Sequence, residues 1–199
     1  MGNLYLSLFV LVIFIILSIV LFNKINDFIG IDYLLNAFLF IILWFICHTL
    51  YFCEPTPMLS RFWFMMAYVC KSFINASLWI LSIKVTIPSF KLDKPITTTF
   101  FAIPLLTTLF ILTNFDSGLF FSDIEAIRIY PTKIFSISRG IWYYLDASFN
   151  FIALAVSISL FIKYYNSNSA PYRIKYVTYA LGYSLILLFN ILGMFGLYK

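Results

Sequence analysis

The sequence predicts an all-α membrane protein: a polytopic transmembrane bundle of about six helices in a single domain. Of the 199 residues, 63% are hydrophobic and only 11% are charged, whereas a soluble domain is typically about a quarter charged. The apolar residues form long continuous runs, and roughly 20 such residues cross the hydrocarbon core as a helix. Barrel strands alternate over short segments instead, so a helical bundle is expected.

Six apolar segments predict the six helices, over residues 4–22, 33–52, 62–83, 96–112, 141–162 and 176–195. The first segment lacks a basic region and a small-residue cleavage site, so we expect it to remain as a helix. The connections are short, except for an external loop over 113–140. A turn signal with Pro171 predicts that residues 163–175 connect the last two helices.

The distribution of lysine and arginine predicts the orientation, because cytoplasmic connections are enriched in both. With the N-terminus outside, the cytoplasmic side holds Lys24, Lys84, Lys91, Lys94, Lys163, Arg173 and Lys175. Three of the fewer outer basic residues lie in the long loop, beside three acidic ones. We therefore expect an outside N-terminus in the plasma membrane. The net charge of +5 is explained by topology and lipid headgroups, and no nucleic-acid binding is expected.

Polar side chains inside three of the helices form a candidate ligand-binding site in the outer half of the bundle. Ionisable groups within a membrane mark functional sites or helix pairs. Lys71 lies roughly 14 Å and Asp146 roughly 8 Å below the outer edge, and the lysine stem can bring its ammonium to the level of the carboxylate. The candidate residues are His48, Lys71, Asn75, Tyr143, Asp146 and Asn150. Alternatively, Lys71 and Asp146 form an ion pair that only determines which helices adjoin.

Catalytic and metal-binding motifs are absent from the sequence, so neither an enzyme nor a cofactor or metal site is expected. One histidine and three cysteines without a CxxC spacing cannot supply a zinc set. Cys47 and Cys70 fall within predicted helices and are interpreted as packing residues, and Cys53 as a free thiol on the outer side. Nucleophile, Walker and zincin motifs are also missing.

Several weak motifs occur in a recognisable order along the chain. They are Trp44 in FIILWFICHTLYF, the aromatic RFWFMMAYVCKSF, Pro104 and a Thr-Asn pair in FAIPLLTTLFILTNFDSGLFF, Gly140 before Trp142 and Tyr143, and SAPYRIKY. This order resembles the N-terminal seven-transmembrane region of bacterial sensor histidine kinases. Ser117 and Gly118 replace the histidine usual after the Thr-Asn pair, and Arg-Ile-Lys replaces Arg-Gln. Only six of the family's seven helices are predicted, without a kinase domain, so we expect no kinase activity in this chain.

The resemblance implies a membrane-embedded sensory or ligand-binding module without its own catalytic output domain. An external small ligand would favour one of two helix packings and shift their populations. The alternatives are a small-solute transport subunit, such as a six-helix substrate-binding component, or a structural subunit of a larger membrane complex. The expected partners are the lipid bilayer, a small ligand from the outer side, and another membrane protein or a second copy of the chain.

Overall fold

The computed structural model describes residues 12–13, 15–16, 19–20, 30–53, 56–90, 93–114, 118–129, 132–167 and 170–194. These residues form helices α1 (Ile31–Cys53), α2 (Pro57–Thr86) and α3 (Lys94–Leu112), strands β1 (Phe121–Ile129) and β2 (Thr132–Arg139), and helices α4 (Ile141–Ser167) and α5 (Ala170–Met194). Within this part of the chain, five helices are long and apolar enough to cross a membrane. The predicted helical membrane bundle is therefore confirmed. The first predicted helix, 4–22, lies outside the described residues apart from six helical positions.

The helices extend beyond the predicted apolar segments at several ends. The helix predicted over 62–83 begins at Pro57 and ends at Thr86, because hydropathy locates only the part of a helix that lies in hydrocarbon. Pro57 suits the first helical turn, where its missing N–H has no helical acceptor. The predicted connection 163–175 is wrong, since α4 continues to Ser167 and α5 begins at Ala170.

The predicted long loop, 113–140, contains an antiparallel β-hairpin, which the sequence pattern had not indicated. Phe121 is paired with Arg139 at its open end, and Ile129 with Thr132 at its closed end. Isoleucine recurs through both strands, and β-branched residues favour extended backbone. The polar residues and Pro131 had favoured a loop in the sequence, but polar residues also occur in strands that lie outside hydrocarbon.

Helix α2 is the central helix of the bundle and is the most buried of the five spans. It packs against α1, α3 and α4, while α5 packs against α4. Asn36 of α1 donates a hydrogen bond from Nδ2 to the Ser77 hydroxyl at 2.8 Å. The Tyr183 hydroxyl of α5 donates to the carbonyl of Leu78 at 2.7 Å. Neighbours on several sides thus meet on α2, where small and hydroxyl side chains permit close approach.

Two thiols meet at the α1–α2 interface. Cys47 and Cys70 are both buried, share a hydrogen bond, and pack in one cluster with Ala67. Cys53 is exposed. The buried pair therefore reports directly on the contact between the two helices.

We expect membrane-permeant copper–phenanthroline to join Cys47 to Cys70, because neighbouring thiols are oxidised to a disulfide more readily than isolated ones. After oxidation and denaturation, a polyethylene-glycol maleimide should add to one thiol, that of Cys53, instead of the chain's three. A Cys70→Ser variant should keep two reactive thiols with or without oxidant. Three adducts on the oxidised wild-type chain would contradict the α1–α2 packing.

Candidate functional site

The carboxylate of Asp146 is the centre of a buried polar network within the bundle. Its Oδ1 accepts hydrogen bonds from the hydroxyls of Ser72 on α2 and Thr107 on α3, each at 2.8 Å. Its Oδ2 accepts from the Nδ2 of Asn150, one turn further along α4, at 2.9 Å. Asp146 is only 4% exposed. Three neutral donors therefore bind one carboxylate and hold α2, α3 and α4 together.

The network continues beyond its first donors. The indole Nε1 of Trp142 donates to the Thr107 hydroxyl at 3.0 Å, so Trp142 is linked to Asp146 through Thr107. Further along the α2–α4 interface, the Ser82 hydroxyl donates to that of Ser157 at 2.9 Å. Both serines are fully buried. The interface between α2 and α4 is thus a polar contact over several turns, which determines how the two helices are rotated against each other.

Lys71 lies beside this network and borders two cavities. The first, the α1–α2 cavity, has a volume of about 150 Å³ and is lined by Trp44, His48, Phe64, Ala67, Tyr68 and Lys71. The second, the α4–α5 cavity, has about 20 Å³ and is lined by Lys71, Tyr143, Ala147, Asn150, Phe151 and Asn190. Because Lys71 lines both, its flexible stem connects a larger space beside α1 with a smaller one beside α5.

The smaller cavity contains an unsatisfied polar atom. The Oδ1 of Asn150 is buried and has no hydrogen-bond partner among the described residues, although Asn150 is only 4% exposed. A volume of roughly 15 Å³ is enough for one water molecule if polar partners surround it. Lys71 and Asn190, which also line this cavity, supply such groups. The α4–α5 cavity therefore has the size and chemistry of a single-water site.

The structure separates the roles of Lys71 and Asp146. The charge of Lys71 acts on the carboxylate, but the hydrogen bonds to Asp146 come from Ser72, Thr107 and Asn150. In the described part of the chain, Asp146 is thus held without Lys71 as a hydrogen-bond donor. A lysine ammonium carries three donors, and Lys71 lines both cavities.

The six residues predicted from the sequence are distributed over this region as follows. His48 and Lys71 meet in the α1–α2 cavity, while Lys71, Tyr143 and Asn150 meet in the α4–α5 cavity. Asp146 is not in the lining of either cavity, but it is hydrogen-bonded to Asn150, which lines the second cavity. Asn75 is buried, with its Nδ2 unpartnered among the described residues, but it belongs to neither cavity lining.

Sequence reasoning missed Ser72 and Thr107, the two hydroxyl donors to Asp146. Hydroxyl residues are common in transmembrane helices, where most bond to their own backbone. Thr108, next to Thr107, does so by donating to the Pro104 carbonyl at 2.8 Å. The sequence did offer one indication of Ser72 and Thr107, namely their predicted depth in the membrane, which is similar to that of the predicted polar residues. Depth alone does not tell which of two adjacent threonines faces the carboxylate.

An aromatic cluster closes the hairpin side of the polar region. Tyr68 lies with its ring centroid 5.7 Å from that of Phe120 and 5.2 Å from that of Phe121. Tyr143 lies 5.8 Å from Phe120. The guanidinium of Arg139, the last residue of β2, lies 5.0 Å from the Tyr143 ring centroid. Tyr68 also lines the α1–α2 cavity, and Tyr143 lines the α4–α5 cavity. Through these two rings the hairpin is in contact with a wall of each cavity.

Asn114 and Gly140 fasten the hairpin to the bundle. The Oδ1 of Asn114 accepts hydrogen bonds from the backbone N–H groups of Phe120 and Phe121 at 2.9 and 2.8 Å, and its Nδ2 donates to the Phe121 carbonyl at 3.1 Å. The N–H of Gly140 donates to the Phe120 carbonyl at 2.9 Å. A Cβ at Gly140 would overlap the Leu119 carbonyl. These contacts give the Thr-Asn pair and the Gly-aromatic start of α4 a structural role.

The comparisons with known proteins agree with the order of motifs in the sequence. A family model described as the N-terminal 7TM region of histidine kinase matches residues 6–199. No curated protein and no solved structure matches the chain significantly. Among the described residues, no group of three or more histidine, cysteine, aspartate or glutamate side chains is placed to hold a metal ion.

Proposed function

Because this chain belongs to the family of N-terminal seven-transmembrane regions of histidine kinases, we propose that it is a membrane sensory module that binds a small ligand in the α1–α2 cavity. The family assignment covers almost the whole chain and places it in the sensory part of such receptors. With the N-terminus outside the plasma membrane, the hairpin and the cavity beneath it face the exterior.

One observation supports the proposed site above the others. Lys71 is an ionisable side chain within a transmembrane helix, and it borders a cavity of about 150 Å³ instead of closing a hydrogen-bonded pair. A charged group in a membrane is costly and is found where it serves a site or a helix pair. The helix-pair role is filled by Asp146 with its neutral donors. Lys71 is therefore the residue that we assign to the ligand.

The position of Lys71 between two cavities suggests how binding is converted into a change of packing. A ligand acceptor in the α1–α2 cavity draws the ammonium towards α1. The α4–α5 cavity, which Lys71 lines together with Asn150 and Asn190, then loses the ammonium group. A ligand shifts an equilibrium between two packings only by its differential affinity for them. In this proposal that difference comes from which cavity Lys71 occupies, and α5 is the helix that responds.

The remaining predicted residues have supporting roles in this proposal. His48 offers a second polar group to the ligand across the α1–α2 cavity. Tyr143 lines the α4–α5 cavity and packs against Phe120 in the aromatic cluster. Asn75 lies about one turn from Lys71 on α2, and its Nδ2 has no hydrogen-bond partner within the described part of the chain, so that its bonding can differ between the two packings.

Binding is tested by equilibrium dialysis of three probes of benzene size, namely benzoate, benzamide and benzylamine, against the chain in nanodiscs. Empty nanodiscs correct for partition into lipid. We expect at least one probe to bind saturably, and we expect Ala67→Phe, which fills the cavity, to weaken that binding about tenfold or more. Ala155→Phe, the same change on an exposed face of α4, should alter it less than about twofold. If no probe binds saturably to the wild-type chain, the proposed site is wrong.

Two further measurements separate this function from its alternatives. Spin labels at Cys53 and at Leu188→Cys, which are both exposed, report the separation of α1 from α5, and the proposal expects their distance distribution to change with the bound probe. Cys47→Ala and Cys70→Ala remove the buried thiols from this experiment. Uptake of the probe into proteoliposomes would instead indicate a transport subunit. An unchanged distance distribution with bound probe would contradict the sensory mechanism.

A further inference from the structure

We infer that the ligand of the α1–α2 cavity is a small monocarboxylate with an aromatic or apolar body. This inference rests on the proposed function, since it names the chemical class of ligand for the same cavity. It is drawn from three properties of the six lining side chains: their charge, their hydrogen-bond donors, and the size and apolarity of the space that they enclose.

The charge of the lining side chains selects an anion. Lys71 is the lysine of the cavity lining, and none of the described lining residues is an aspartate or a glutamate. The carboxylate of Asp146 lines neither cavity, and its oxygens already accept three hydrogen bonds. A cationic ligand would thus meet the Lys71 ammonium and no carboxylate among the described residues that line the cavity. One ammonium matches one negative charge, which favours a monocarboxylate over a dianionic phosphate.

The donors of the cavity match the two oxygens of a carboxylate. The Lys71 ammonium offers up to three N–H groups, and the His48 imidazole can donate an N–H from one ring nitrogen in either tautomer. The His48 ring packs edge to face against Trp44, with centroids 4.3 Å apart. This contact limits the orientation of the imidazole. Two donors from different helices, α1 and α2, can therefore bind one carboxylate together and hold the helices in one packing.

The remaining walls determine the body of the ligand. Trp44, Phe64, Ala67 and Tyr68 present mainly apolar and aromatic surface. An apolar cavity of about 150 Å³ in a protein binds benzene or xenon, so the present volume of about 150 Å³ suits a body of that size. Aromatic walls favour a planar or apolar group through edge and offset contacts. Benzoate thus represents the inferred class, and benzamide and benzylamine are its neutral and cationic counterparts.

The test compares the three probes in the dialysis experiment and repeats it with Lys71 variants. Because hydrogen bonds to charged groups contribute more than neutral ones, we expect benzoate to bind at least about tenfold more tightly than benzamide, and benzylamine to bind most weakly. Lys71→Met should weaken benzoate about tenfold to a hundredfold while changing benzamide less than about threefold. Lys71→Arg, which keeps the charge, should retain more of the benzoate affinity than Lys71→Met. Thermal unfolding of each variant verifies that it is folded.

A carboxylate with an apolar body can come from water or from the membrane, and competition distinguishes these sources. If dodecanoate in the nanodisc displaces benzoate at a lower free concentration than benzoate itself requires, the ligand class is a membrane-borne fatty acid; the reverse order indicates a water-borne acid. Either order supports the inference. Equal binding of benzoate and benzamide, with loss of both in Ala67→Phe, would overturn the ligand class and leave the proposed function intact. Absence of binding by all three probes would overturn both.

Discussion

Asp146→Ala is expected to lower the free energy of unfolding by about 3 kcal/mol or more, the largest effect of any single polar substitution in the bundle. Removing one member of a buried, hydrogen-bonded set leaves the others unsatisfied. Here Ser72, Thr107 and Asn150 would lose their common acceptor, and the Lys71 ammonium would lose its nearby negative charge. Unfolding by SDS in mixed micelles, followed by circular dichroism, measures the difference.

Asp146→Asn separates the loss of the acceptor from the loss of the charge, and Ser159→Ala serves as the control. Asp146→Asn keeps one oxygen that can accept from the two hydroxyls, so we expect a smaller loss of about 1–2 kcal/mol. Ser159→Ala is the matched control on α4, because its hydroxyl is exposed and donates only to the Ala155 carbonyl of its own helix. It should change stability by less than about 0.5 kcal/mol. An Asp146→Ala variant as stable as Ser159→Ala would show that the network does not hold the helices together.

The second large effect is expected from Gly140→Ala at the junction of the hairpin and α4. The added Cβ would overlap the backbone carbonyl of Leu119, and this carbonyl is held by the N–H of Trp142 at 3.0 Å. A backbone atom so fixed cannot move aside as a side chain would. We expect a loss of about 1–3 kcal/mol in the free energy of unfolding, together with faster hydrogen exchange of the Gly140 and Trp142 amides.

Gly182→Ala provides the control for this substitution. Among the described residues, a Cβ at Gly182 meets no atom within 4 Å, and alanine favours a helix more than glycine does. The variant should therefore be as stable as the wild-type chain or slightly more so. If Gly140→Ala behaved like Gly182→Ala in both stability and hydrogen exchange, the close contact between Leu119 and the start of α4 would be wrong.

Much of the architecture follows from composition and pattern because lipid restricts the available structures. Every backbone group within hydrocarbon needs an internal partner, so long apolar runs can only be helices or barrel strands, and their length excludes strands. The resemblance to the histidine kinase sensor region, which relied on Trp44, Asn114, Gly140 and their order, is confirmed by the family match over residues 6–199. Outside the hydrocarbon this restriction disappears, which is why the β-hairpin over 121–139 was predicted as a loop.

The sequence indicated candidate residues for the site but not the hydrogen bonds between them. Charged and amide side chains in an apolar helix are rare and therefore visible in the sequence, which is how His48, Lys71 and Asn150 became candidates. Ser72 and Thr107 were not, since a hydroxyl residue in a membrane helix usually bonds to its own backbone, as Thr108 does. Whether such a hydroxyl points towards a neighbouring helix depends on how its own helix is rotated about its axis. The periodicity of the sequence predicts only which broad face of the helix is buried.

The sequence by itself determined that this chain resides in the membrane as a helical bundle and that a few polar side chains lie at a similar depth. Hydropathy is sufficient to predict the helices, and the spacing of residues along a helix is sufficient to predict their depth, because both properties depend only on residues that are close in the sequence. The tertiary structure decided which groups meet: Asp146 is bonded by neutral donors from three helices, and Lys71 borders two cavities beside α1 and α5. These contacts depend on the rotation and axial shift of each helix against α2, which are set by packing between segments far apart in the chain.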